Sequence, residues 1–117
     1  MAHVHVLSDD LLFGSRLQAD FTAAGHEVTL GPRLDAAAQA IVADLTHDPD
    51  ARLAELGLGL DREPAAPPRP PVLAFFAHVE PDVRERALAA GVEQAVPRSR
   101  IAREGPALLA ALLATAR

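Results

Sequence analysis

Ala40-Ile41-Val42-Ala43-Asp44 is an unbroken apolar run that ends in a single carboxylate. Its length suits a strand, and the lack of polar alternation suits one buried on both faces. A strand of that kind belongs to a parallel sheet with helices above and below. The flanking chain repeats the pattern. Upstream, His3-Val4-His5-Val6-Leu7 is short and β-branched, and Ser8-Asp9-Asp10 closes it as an acidic turn. The period then changes. Phe13, Leu17 and Phe21 recur every four residues, and Gly25 follows as a stop, so residues 11–24 are predicted to be helical. Residues 26–30 predict a second strand closed by Gly31-Pro32. Residues 34–39 leave space for only a turn or two of helix.

Downstream, Asp48-Pro49 opens a helix running to about Leu56, with Asp as N-cap and Pro at the first helical position. Residues 61–71 hold five of the ten prolines and read as a stiff surface connection within one domain. Residues 72–77 form the next buried strand, Glu80-Pro81 opens a helix to Ala90, and residues 94–96 make a short fifth strand. A last helix is expected from Pro106 to Ala116, with Leu108, Leu109, Leu112 and Leu113 as its packing stripe. Strands alternating with helices define the class. The expectation is one α/β domain over residues 1–117, a doubly wound parallel five-stranded sheet with helices on both faces.

Composition narrows the function. The chain has 117 residues, half of them apolar, with 16 acids against 11 bases and a formal net charge of −5. That balance argues against nucleic acid as a partner, which asks for a clustered basic face. The densest basic group is only Arg98, Arg100 and Arg103. The absence of cysteine excludes disulfides and thiolate chemistry and suits a reducing cytoplasm. No apolar run reaches the roughly 18 residues of a membrane span, and no signal-peptide pattern opens the chain. The expectation is a cytoplasmic protein with neither a nucleic-acid nor a membrane partner.

The polar residues at the strand ends carry the chemistry. Asp44 falls at the C-terminal edge of its strand, where open α/β sheets bind ligands. Asp9 and Asp10 follow the first strand, and they also read as N-caps of the helix after it. His47 and His78 are expected near the same edge. Two histidines and two carboxylates would suit a transition metal, though no diagnostic spacing supports one. Residues 8–13 contain no glycine. That counts against a further alternative, a flavodoxin-like domain holding a nucleotide or other small ligand.

Two stretches carry a resemblance to a known family. One is Val6-Leu7-Ser8-Asp9-Asp10, with Ala24-Gly25-His26-Glu27-Val28 after the first helix. The other is Pro71-Val72-Leu73-Ala74-Phe75-Phe76-Ala77-His78, leading into Arg84-Glu85-Arg86-Ala87-Leu88-Ala89-Ala90-Gly91-Val92. Over nearly its whole length the chain resembles a response-regulator receiver (CheY-like) domain. The resemblance implies a phosphoacceptor at Asp44 and an acidic Mg²⁺ site at Asp9, Asp10 and Asp44. Phe76 stands at the place of the family's Thr or Ser, Arg98 at the place of its Lys, and Ser99 at the proline that usually follows. Ser8 takes the first acid's place, and Ala95 that of a switching aromatic.

Those departures affect chemistry directly. Phe cannot donate a hydrogen bond, Arg replaces a compact point charge with a planar fork, and one lost carboxylate weakens a hard-cation site. The resemblance is therefore to an atypical, or pseudo-, receiver: not an enzyme, with no cofactor, Mg²⁺ being relevant only if Asp44 is phosphorylated. It implies a protein partner, either a signalling kinase or a downstream target. It also implies a homodimer face built from the helix over 81–90, the strand over 94–96 and the last helix. A chain ending with that helix is expected to stand alone. The alternative reading is a phosphoryl-accepting single-domain regulator that uses Asp44.

Overall fold

In the computed structural model, residues 2–57, 69–77 and 81–115 are described. The strands are β1 (His3–Leu7), β2 (Glu27–Gly31), β3 (Ala40–Asp44), β4 (Val72–Phe76) and β5 (Gln94–Pro97). They form one parallel sheet in the order β2-β1-β3-β4-β5. The helices among the described residues are α1 (Leu11–Ala23), α2 (Pro49–Glu55), α3 (Pro81–Ala90) and α4 (Arg98–Thr115). The expected doubly wound α/β class is the one observed. None of these helices is long and apolar enough to cross a membrane.

Side chains alternate across the strands and divide the core into two layers. Val4 and Val6 of β1, Val42 of β3, and Leu73 and Phe75 of β4 face α1 and α4, meeting Leu17, Phe21, Ile101 and Leu109. Leu7, Ile41, Ala43, Ala74 and Phe76 face the other way and meet Leu53 of α2 and Val83 and Ala87 of α3. Because both faces are covered, β3 and β4 are buried at every position. That is the physical reason for their unbroken apolar sequence.

Two expectations need correction. Residues 34–39 form no helix, so β2 returns to β3 through turns alone. Eight residues separate the two strands, too few for a helix that also turns back to the sheet. The last helix begins at Arg98, not Pro106. Glu104 breaks the helical dihedrals (φ −124°, ψ 16°), and Pro106 stands just beyond that kink. A proline there needs no amide hydrogen, so it marks the restart of the helix.

The histidines of β1, uninformative in the sequence, hold down the loop that replaces the missing helix. The His5 ring, 4% exposed, donates from Nε2 to the Arg33 carbonyl at 2.7 Å, and its Nδ1 lies 2.8 Å from Thr29 Oγ1. Asp35 Oδ2 lies 2.9 Å from His3 Nε2 and accepts the Thr29 hydroxyl at 3.0 Å. Its other oxygen accepts the Ala37 amide at 2.9 Å. The Ala37 amide first, then the Thr29 hydroxyl and His3, hold the Asp35 carboxyl below the ordinary carboxylate range.

A carboxyl with a depressed folded-state value contributes stability above its unfolded value, about 3.9, and that stability is lost as pH falls through the folded value. Asp35→Asn is therefore expected to lower the melting temperature at pH 7. The gap to wild type should close as the pH drops below about 3.9. Denaturation midpoints measured across pH 2–7 check this, and a gap that stays constant with pH would contradict it.

Candidate functional site

The direction in which strands are added to the parallel sheet reverses between β1 and β3, with β2 on one side of the pair and β4 on the other. Loops leaving the C-terminal ends of β1 and β3 therefore diverge, and this is where open α/β sheets place their sites. The structure brings Ser8 and Asp44 together here. Ser8 is fully buried and donates its hydroxyl to Asp44 Oδ2 at 2.7 Å. The same Ser8 oxygen accepts the Asp10 amide at 3.0 Å. Asp44 is 4% exposed, and its Oδ1 accepts the Thr46 amide at 2.9 Å. Both carboxylate oxygens thus have internal donors. Ser8, read from the sequence as a missing acid, is the residue that holds Asp44 in place.

Asp9 and Asp10 diverge from this pair. Asp10 caps α1, accepting the Phe13 amide on Oδ1 at 3.0 Å and the Arg98 guanidinium on Oδ2 at 2.6 Å. The Phe13 amide first, then Arg98, keep the Asp10 carboxyl below its ordinary range. Arg98 also lies over the Phe13 ring, 4.1 Å from its centroid, and that ring packs at 5.3 Å against Phe75. Asp9 is 63% exposed and accepts Nη2 of Arg52 at 3.1 Å.

Arg52 was not singled out by the sequence reading. Its side chain is only 9% exposed although it projects from a short helix. It was detectable only as the sole basic residue of α2, eight positions after Asp44. Asp48 sets the entry to that helix from a left-handed backbone (φ 41°), a conformation Asp adopts more readily than most residues.

Phe76 ends β4 and is 2% exposed, packed with the α2–α3 layer. Ala95 is buried in the same layer. Ser99 and His47 are exposed, and His78 lies outside the described residues. Among the described residues, no group of three or more histidines and carboxylates stands where it could hold a metal ion. The Asp9, Asp10 and Asp44 side chains are not gathered into such a group. Two of them are paired with arginines, and the third is bonded to Ser8 and Thr46.

No protein-family model matches the chain, and no curated protein matches it. Solved structures do. The receiver domain of the Francisella response regulator 1452 superposes with a TM-score of 0.71 at 13% identity, over 100% of both chains. A response regulator receiver protein from Burkholderia phymatum gives 0.74 at 20% identity, over 97% of this chain and 96% of that one. Full-length FixJ from B. japonicum gives 0.76 at 19% identity, over 99% of this chain and 59% of that one. The chain has the CheY-like, flavodoxin-like fold of response-regulator receiver domains.

Ser8→Ala removes the donor to a buried carboxylate and is expected to cost about 1.5–3 kcal/mol. Asp10→Asn, which keeps a good N-cap and loses only the partly exposed Arg98 pairing, should cost less than about 1 kcal/mol. Denaturant unfolding of both variants tests this ranking, and the reverse order would contradict it.

Proposed function

We propose that this chain is an atypical receiver domain of a signal-transduction system, acting through contact with another protein and not through phosphorylation of Asp44. The observation that carries the reading is the seating of Asp44. Its two oxygens accept Ser8 Oγ–H and Thr46 N–H in a 4%-exposed position. Attack on a phosphoryl donor needs a free carboxylate oxygen and positive charge around the transferred group. Here the carboxylate is buried and each of its oxygens already accepts a hydrogen bond. Phe76 offers no hydroxyl, and Arg98 is held by Asp10 and Phe13.

The partner is expected to be a signalling kinase or a downstream protein in the cytoplasm. The α3–β5–α4 face, where Leu88 is more than a third exposed, is the surface for that partner or for a second copy. The domain carries out no reaction of its own in this reading.

One observation favours the alternative, a regulator that accepts a phosphoryl group on Asp44. Thr46, whose amide already bonds Asp44, carries a buried hydroxyl without a partner among the described residues. That hydroxyl is a candidate substitute for the donor absent at Phe76.

Mass spectrometry after incubation with acetyl phosphate and Mg²⁺ separates the two readings. No mass gain is expected on the wild-type chain. A gain that disappears in Asp44→Asn would overturn the proposal and establish the alternative.

A further inference from the structure

The guanidinium of Arg52 gathers acceptors from four separate parts of the chain. Nη2 donates to Asp9 Oδ2 in the β1–α1 loop at 3.1 Å, and Nε donates to the Asp44 carbonyl at the end of β3 at 3.3 Å. Nη1 donates to the Pro32 carbonyl after β2 at 3.4 Å and to Glu55 Oε1 of its own helix at 3.1 Å. A side carboxylate together with main-chain carbonyls at a strand edge is the donor chemistry that suits a hard divalent cation. In this chain an arginine has taken those oxygens.

We infer that Arg52 is the resident cation of this edge and that its charge excludes divalent metal from Asp9 and Asp44. Three physical points support the inference. Arginine carries a full positive charge, which repels a divalent cation at short range. Its planar fork satisfies several oxygens at once, and a lysine ammonium could not reach the same set in a fixed geometry. A small divalent ion requires near-octahedral oxygen ligands at about 2.1 Å, so to use Asp9 it would have to compete with the guanidinium for the carboxylate that Arg52 already holds. The second arginine reinforces the effect, because Arg98 closes Asp10, the other acid of the turn, at 2.6 Å.

The consequence is an edge whose arrangement is set by the chain itself. Arg52 ties the β1–α1 loop, the turn after β2 and the end of β3 to α2, and addition of a divalent cation leaves that arrangement unchanged. The inference rests on reading this edge as the counterpart of a receiver's metal-binding edge. Cation binding is measured on the unmodified chain, so its outcome is separate from whether Asp44 takes up a phosphoryl group.

The test is a titration of the full ¹⁵N-labelled chain with Mn²⁺, following paramagnetic broadening of the Ser8, Asp10, Asp44 and Thr46 amides. Wild type is expected to show no saturable broadening at these amides up to about 10 mM. Arg52→Gln should bind Mn²⁺ there more than about tenfold more tightly, because one unit charge ~4 Å from a divalent ion is worth that much even at high dielectric. Arg52→Lys, with its charge retained, should bind more weakly than Arg52→Gln.

Saturable broadening of the wild type overturns the inference, and so does a folded Arg52→Gln variant with unchanged affinity. Should Arg52→Gln fail to fold, the Arg52 Nε–H resonance of the wild type decides. An unmoved signal in 10 mM Mg²⁺ supports the resident cation, and a displaced one overturns it.

Discussion

A carboxylate taken out of water has to be met by hydrogen-bond donors, and the edge of this domain is organised around that requirement at Asp44. The strand carrying Asp44 is buried on both faces, so the carboxylate cannot turn out to solvent without leaving β3. Ser8 directly follows the neighbouring strand β1 and Thr46 stands two residues after Asp44, and each gives one donor. Meeting Asp44 fixes the path of the chain after β1. The Ser8 oxygen that donates to Asp44 also accepts the Asp10 amide, and this leaves Asp10 in position to cap α1. Asp10 in turn holds Arg98, the first residue of α4. A line of polar contacts therefore links β3, β1, α1 and α4 along one end of the sheet.

The two arginines divide the remaining negative charge between them. Arg98 lies between the Asp10 carboxylate and the Phe13 ring, and Phe13 rests on Phe75, so an ion pair and an aromatic pair are joined at one place. Arg52 is the more buried of the two and reaches more of the chain. Burying a guanidinium is costly unless its hydrogen bonds are met, and four acceptors meet them here. At the far side of the sheet the shortened crossover from β2 to β3 is offset by the His3, His5, Thr29 and Asp35 contacts. These replace a packed helix with a hydrogen-bonded loop.

The fold was legible because its deciding signals are local. The apolar runs at 40–44 and 72–76, the four-residue period of Phe13, Leu17 and Phe21, and the Asp48-Pro49 opening each predicted an element that is present. The receiver-like order of elements followed from them, and the solved structures share it. The start of α4 was missed because residues 98–103 are rich in arginine and are followed by Gly105-Pro106, which reads as a helix break when it is only a kink. At the site, the positions of Asp44 and Phe76 at the ends of their strands were legible. The partners were not. Arg52 meets Asp9 across 43 positions and Arg98 meets Asp10 across 88, and no local pattern reports a pairing at such separations.

The measurement that bears most directly on the central claim is a crystal structure of the chain grown with Mg²⁺ and beryllofluoride. Asp44 is expected to keep its hydrogen bond to Ser8 near 2.7 Å, with no fluoride density at its carboxylate and with Phe76 packed inward. A beryllofluoride group on Asp44, with Ser8 displaced and a metal ion between Asp9 and Asp44, would contradict it.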